Sequence, residues 1–274
     1  ALEWLSDPFE FRRFASVLVL SELAVAVPAA LYQQMDRYLS VMWTALCDNG
    51  RRPIFTAAAL TLHRMLEIVL QRGSAAQTLE VFSRLLDEAL VGLGKSPMTH
   101  GALLAIGELF GLSAVADDPG VFALLMAKFP LCCEAVLKLR SSKDNRIGKT
   151  VLKLMPRLAR FNPGHFSTHL AKVVKHLIGL LRKPGPNTPL AISVTGDVAV
   201  AVGAPDILPH LPNFVQVIVP LIRVELRQGK HVLPFPGALL CVGQLAEAGG
   251  ETMATLIERD GLLDRMFECG LFPE

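Results

Sequence analysis

One arrangement of residues recurs along this chain, and it limits the possible folds more than any other feature. The segments LAVAVPAALYQQMDRYLSVM, LARFNPGHFSTHLAKVVKHL, VAVAVGAPDILPHLPNFVQVI and LAEAGGETMATLIERDGLL all share it. Each reads as the apolar end of one helix, a tight turn, and a second helix with one apolar face. Pro28, Pro163, Pro205 and the Gly249-Gly250 pair mark the turns, because Pro and Gly end a helix and permit a reversal. Polar or Gly/Pro connectors at 48–50, 94–97, 142–145, 183–187 and 229–236 separate the units. First helices are therefore expected to start near Phe9, Arg51, Pro97, Asn145, Asn187 and Pro236.

Phe9 to Arg51 is 42 residues, and Asn187 to Pro236 is 49. Those intervals lie near the ~40–47 residue period of two-helix HEAT and armadillo units, and above the ~33–34 of ankyrin or TPR units. A lone hairpin cannot bury both of its faces, so neighbours must stack. The expected fold is all-α: an α-solenoid of about six HEAT-type helical hairpins. Its units are 9–47, 51–93, 97–140, 145–183, 187–228 and 236–270, forming a single segment over 1–274. No convincing strand pattern interrupts them. Pro156 falls where the helical pattern continues on both sides, so a kink inside that helix is expected. The opening ALEWL reads as the tail of a helix whose beginning is missing, so the chain is expected to be a piece of something longer.

Composition agrees with stacking. Hydrophobic residues make up 51% and aromatic ones only 7%; a surplus of Leu, Ala and Val favours helices. The mean hydropathy of +0.42 raises the question of a membrane. Glu22 interrupts VLVLSELAVAV, and Asp197 and Asp206 interrupt 191–222. No uncharged apolar run reaches the roughly 20 residues of a bilayer span. The surplus belongs in a core or in surfaces facing a partner. Cys47, Cys132, Cys133, Cys241 and Cys269 are odd in number, form no C-x-x-C pair and lie in apolar contexts. They read as buried free thiols in a reducing compartment.

ALVGLGKS, residues 89–96, invites a nucleotide-binding reading. A P-loop joins a buried strand to a helix, so that loop amides and the helix N-terminus converge on phosphate. Here an amphipathic helix over 78–88 runs into the motif. Gly94 sits where a helix C-cap would, and Ser96-Pro97 reads as the N-cap and first position of the next helix. The stretch is a connector between repeats. His165 and His169 are four apart, yet no third ligand or H-E-x-x-H glutamate accompanies them. Cys132 and Cys133 are adjacent and diverge by about 100° on a helix. Asp117-Asp118 suits a helix N-terminus. No catalytic, cofactor-binding or metal-binding residues are assigned, and no cofactor is expected.

Charge is unevenly distributed. From Lys138 to Lys183 there are twelve Lys/Arg and one acid, Asp144. Arg146, Lys149, Lys153, Arg157 and Arg160 follow helical spacing along one stripe, and Lys172 and Lys175 add charge from the paired helix, as do Arg182 and Lys183. A charge run is ordinarily a solvated face. The alternative is a docking stripe for an acidic protein segment, an anionic membrane surface or nucleic acid. Nucleic acid is the weakest of these, since no aromatic side chains interleave with the cations to stack on bases.

Several phrases resemble one family, the target-of-rapamycin (TOR) kinases. ALEWL with Arg12-Arg13-Phe14-Ala15-Ser16-Val17-Leu18-Val19-Leu20-Ser21-Glu22-Leu23-Ala24 is similar to a phrase in their N-terminal HEAT repeats. So are HGALLAIGEL at 100–109, Lys138 to Lys143 with LKLMPRLARF at 152–161, and the ending GLFP at 270–273. RRPIFTAAALTLHRML matches the family only at its Ala-Leu core, and the link over 111–121 is short where relatives carry an insertion. The resemblance implies the N-terminal part of a large PI3K-related Ser/Thr kinase whose catalytic domain lies far downstream. It implies a non-catalytic scaffold contacting regulatory subunits of the TOR complex and other parts of the parent kinase, in the cytoplasm or at endomembranes through that complex. The alternative from the residues alone is an independent HEAT adaptor, such as a karyopherin-like carrier or phosphatase scaffold.

Overall fold

A computed structural model describes residues 2–48, 52–113, 118–222, 225–227, 230–232, 234–235, 237–259, 261 and 264. The fold is all-α: an α-solenoid built of packed helical hairpins. Contacts gather into two compact units, Ala1–Val151 and Leu152–Glu274, with the boundary inside one helix.

In the first unit the helices are α1 (Glu10–Ala26), α2 (Pro28–Tyr32), α3 (Met35–Leu46), α4 (Arg52–Arg72), α5 (Ala75–Leu93), α6 (Thr99–Ser113) and α7 (Pro119–Lys138). Next comes α8 (Asn145–Phe161), which crosses the boundary. The second unit continues with α9 (Pro163–Ser167), α10 (Leu170–Arg182), α11 (Thr188–Val202), α12 (Ala204–Ile207), α13 (Leu211–Ile218) and α14 (Gly237–Arg259). First helices start at Glu10, Arg52, Thr99, Asn145, Thr188 and Gly237, each within two residues of the expected start. Pro28, Pro163 and Pro205 all stand in the first turn of a short helix, where a missing N–H costs nothing. Gly250 lies at φ +52 and breaks α14 into two arms; that left-handed conformation is costly for other residues.

Four local features differ from expectation. ALEWL begins a 3-10 turn, Leu2–Ser6, rather than ending an α-helix. Second helices are broken: α2 precedes α3, α9 precedes α10, and α12 plus a 3-10 turn precede α13. Pro209 and Pro212 explain the last break, because neither can donate to the carbonyl a turn earlier. Helix α6 starts at Thr99, so Ser96-Pro97 lies in the preceding turn and not at the cap. The connector after α13 carries a three-residue antiparallel pair, Glu225–Arg227 (β1) with Lys230–Val232 (β2). Two-stranded ribbons this short need no long alternating pattern, so little in the sequence announces one. Pro156 does lie inside α8, and a second proline, Pro130, lies inside α7.

In the first unit α1 packs on α4, α4 on α6, α3 on α4, and α5 on both α6 and α7. In the second, α11 packs on α14, and α10 on α11 and α13. The cores are aliphatic with a few rings: Phe82, Phe110 and Phe129 in one unit, Phe166 and Phe214 in the other, all fully buried. Each such side chain contributes about 2 kcal/mol by leaving water. Phe110 and Phe129 meet edge to face at 5.8 Å.

Polar side chains tie several helices to the equivalent helix one repeat away. Arg64 of α4 donates to the Ser21 carbonyl (3.0 Å) and hydroxyl (2.8 Å) of α1. His63 Nδ1 lies 2.9 Å from Glu108 Oε2 of α6. On the second helices Arg84 donates to Asp36 (2.6 Å), and Lys128 pairs with Asp87. The second unit repeats the device: Arg160 and Gln244 both donate to Asp197, at 3.5 and 3.0 Å, and Ser167 donates to Asp206 at 2.6 Å. Exposed pairs of this kind are worth under about 1 kcal/mol each; their consistent spacing of one repeat sets register.

Two described stretches, Pro53–Arg72 and Pro119–Ser141, are long and apolar enough to cross a membrane. Both sit in the helix layers. Thr61 and Arg64 of α4 are bonded to α1, and α7 buries Val121, Leu125, Phe129, Cys132, Cys133 and Val136. That burial accounts for the hydropathy of α4, whereas α7 is buried over less than half of its apolar span and leaves Phe122 and Leu131 exposed.

Candidate interaction surface

The cationic side chains follow from how α8 divides its faces. Val151, Leu152, Leu154, Met155, Leu158 and Ala159 are buried, while Lys153, Arg157 and Arg160 are exposed at 3–4 residue spacing. Arg146, also exposed, and the half-buried Lys149 lie on the part of α8 within the first unit. Carboxylates lie against this stripe. Arg146 makes a 3.1 Å ion pair with Asp144, whose carboxyl is held below its usual range chiefly by that guanidinium. Arg160 reaches Asp197 at 3.5 Å. The array is thus less self-repelling than five bare cations. Lys172 and Lys175 are exposed on α10, which packs on α9, α11 and α13.

Sequence reading missed a groove beside the end of α10. It has a volume of about 620 Å³. Buried Leu181, Val217 and Leu221 line it together with Pro220 and Phe235, and the exposed Arg182 borders it. These residues come from three separate stretches of chain, so no local pattern announces them.

The other candidate chemistry resolves into packing. Gly94 is the C-cap residue of α5, and its N–H bonds back to the Val91 carbonyl (3.3 Å). The Lys95 N–H bonds to the Gly92 carbonyl (3.1 Å). Amides spent on the end of α5 cannot cradle a phosphate, and the motif joins two helices with no strand before it. Asp118 caps α7, accepting from the Gly120 and Val121 amides at 2.9 and 3.0 Å; Asp117 lies outside the described residues. The His165 and His169 rings meet edge to face at 5.6 Å. No cluster of three metal-binding side chains occurs among the described residues. Burial pushes the Cys132, Cys133 and Cys241 thiols up to about 12 and Cys47 to about 11. Those four are free thiols, and Cys269 lies outside the described residues.

No family model matches the chain. The chain is 32% identical over 99% of its length to the serine/threonine-protein kinase TOR of Oryza sativa subsp. japonica, and 31% identical over 99% to tor1 of Schizosaccharomyces pombe. It spans about a tenth of those curated relatives, 10% and 11% respectively. The resemblance to the TOR kinases therefore runs through nearly the whole segment. Among solved structures, a mutant of Kap121p covers 94% of this chain with a TM-score of 0.65, using 24% of its own length. At 14% identity that likeness concerns the fold alone.

Proposed function

We propose, from a similarity to the TOR serine/threonine kinases that runs through 99% of the chain, that this segment is a non-catalytic scaffold within a TOR-type protein kinase. The coverage of nearly the whole chain carries the reading. Stacked hairpins offer long ridged surfaces suited to protein partners. On this reading the partners are regulatory subunits of the TOR complex and other parts of the parent kinase, in the cytoplasm. The six-hairpin division from 9–47 to 236–270 is the proposed repeat frame. An open reading frame roughly ten times this chain's length, carrying a kinase domain downstream, is the expected finding. A stop codon soon after Glu274 would refute the reading.

Within that reading, the α8 stripe docks an acidic segment of the parent complex. Lys153 and Arg157 stand exposed on the part of α8 within the second unit, and rim charges act mainly on association rate and salt dependence. Lys153→Glu/Arg157→Glu is expected to slow assembly at about 50 mM salt and to matter less at about 300 mM, where screening is shorter in range. Equal assembly of both proteins at both salts would reduce the stripe to a solvated face.

A further inference from the structure

We infer that the groove between the end of α10 and α13 binds a short peptide segment carrying large apolar anchors followed by carboxylates. The inference rests on the interaction-segment reading and gives it a surface and a ligand chemistry.

The floor of the groove is apolar. Leu181, Val217 and Leu221 are each under a tenth exposed, Pro184, Pro220 and Phe235 add apolar surface, and Arg182 and Gln216 form the polar edge. A volume of about 620 Å³ suits a few side chains or a small ligand, not a folded surface. Six apolar side chains around one concavity would hold aliphatic or aromatic anchors.

Charge chooses among apolar ligands. Lys172, Lys175, Gly179 and Arg182 are all exposed and follow 3, 4, 3 spacing, so they form one line down α10 that ends at the groove. The line is about 15 Å long at 1.5 Å per residue. Gly179 leaves a bare gap in it: a Cβ placed there would meet nothing within 4 Å, so a bound backbone can approach the helix. Lys183 adds another exposed cation. Neither α10 nor α13 carries an Asp or Glu, and neither does the Val219–Leu221 turn after α13. The cations thus come from α10, with no carboxylate on either helix to offset them, and Arg182 both borders the apolar pocket and carries a fork suited to a carboxylate. A neutral apolar peptide would leave those cations unused, and a bare polyanion would leave the pocket empty. An acidic peptide with apolar anchors uses both.

The test is fluorescence anisotropy on the 274-residue chain with a labelled dodecapeptide holding a Leu-Phe-x-x-Leu core and a carboxylate-rich tail. Three controls accompany it: the same peptide with Asn and Gln for its acids, the same peptide with Ser for its anchors, and vesicles of phosphatidylserine in phosphatidylcholine. Both peptide controls are expected to bind at least about tenfold more weakly. Arg182→Glu and Lys175→Glu are expected to do the same to the acidic peptide, each at an exposed position and each with unchanged circular dichroism. Gln216→Trp, which places an indole into the groove from α13, is expected to block the anchors while leaving the charges intact. Equal binding by wild type and both charge variants would overturn the proposal. Binding of vesicles but of no peptide would overturn it too, in favour of a membrane surface. Failure here leaves the downstream kinase domain of the parent reading frame unaffected, and absence of that domain leaves a positive peptide result standing.

Discussion

Gly101 should be the glycine that the first unit least tolerates losing. It lies on α6 and faces the end of α3, where a Cβ would sit 2.6 Å from the Leu46 carbonyl oxygen and 2.8 Å from its carbon. Ordinary contact begins near 3.4 Å, so the two helices would have to part by about 0.8 Å. The obstacle is backbone at a helix end, which cannot swing aside as a side chain would. Alanine in a helix gains about 1 kcal/mol over glycine, while overpacking costs about 1–3 kcal/mol. Gly101→Ala is expected to be destabilising by about 0–2 kcal/mol as the net of those two effects. Gly148 on α8 belongs to the same compact unit, and a Cβ there would meet nothing within 4 Å. Gly148→Ala should therefore keep only the favourable part, about 0.5–1 kcal/mol. Urea denaturation followed by circular dichroism measures both variants. With a slope of roughly 2–3 kcal/mol/M, their midpoints should differ by roughly 0.2–1.5 M, Gly101→Ala being the lower. If Gly101→Ala raises the midpoint as much as Gly148→Ala, the close approach of α3 and α6 is not a packing constraint.

Lys95→Ala should shift stability by less than about 0.5 kcal/mol, and Mg-ATP should leave the melting curve of either protein unchanged; a nucleotide-dependent shift lost in the variant would reinstate a phosphate site. His100 packs edge-on to Phe55 at 4.6 Å and lies 3.1 Å from the Thr150 hydroxyl, and burial, aided by Arg146, lowers its pKa from 6.5. The unfolded chain therefore takes up a proton at His100 before the folded chain does, so stability should fall as pH drops through 6.5. That fall should be shallower in His100→Gln, and equal slopes would refute the assignment. Cys132, Cys133 and Cys241, with thiols near 12, should resist Ellman's reagent at pH 8 until urea is added; prompt labelling of any of them, mapped by mass spectrometry, would count against their burial.

What the sequence alone determined is what short-range chemistry controls. Apolar residues at helical spacing and the turn residues Pro28, Pro163, Pro205 and Gly250 placed the six first helices within two residues of where they start. They did so because helix formation and termination depend on neighbours a few positions away. The solvated side of α8 was legible for the same reason: Lys153, Arg157 and Arg160 alternate with buried Leu and Met in a single helix. Cap details slipped. Ser96-Pro97 offers a good start signal, but the turn closed by the Met98 amide on the Lys95 carbonyl (2.8 Å) delays α6 to Thr99. Other features depend on how one hairpin stacks upon the next, which only tertiary structure decides. Asp36 and Arg84, or Asp197 and Gln244, are 48 and 47 residues apart and meet because stacked repeats align them. The approach of Gly101 to Leu46 and the groove between Arg182, Val217 and Phe235 arise in the same way. Nothing local distinguishes those residues from other exposed arginines, buried valines or helical glycines, since their roles come from surfaces that exist only after distant segments have packed.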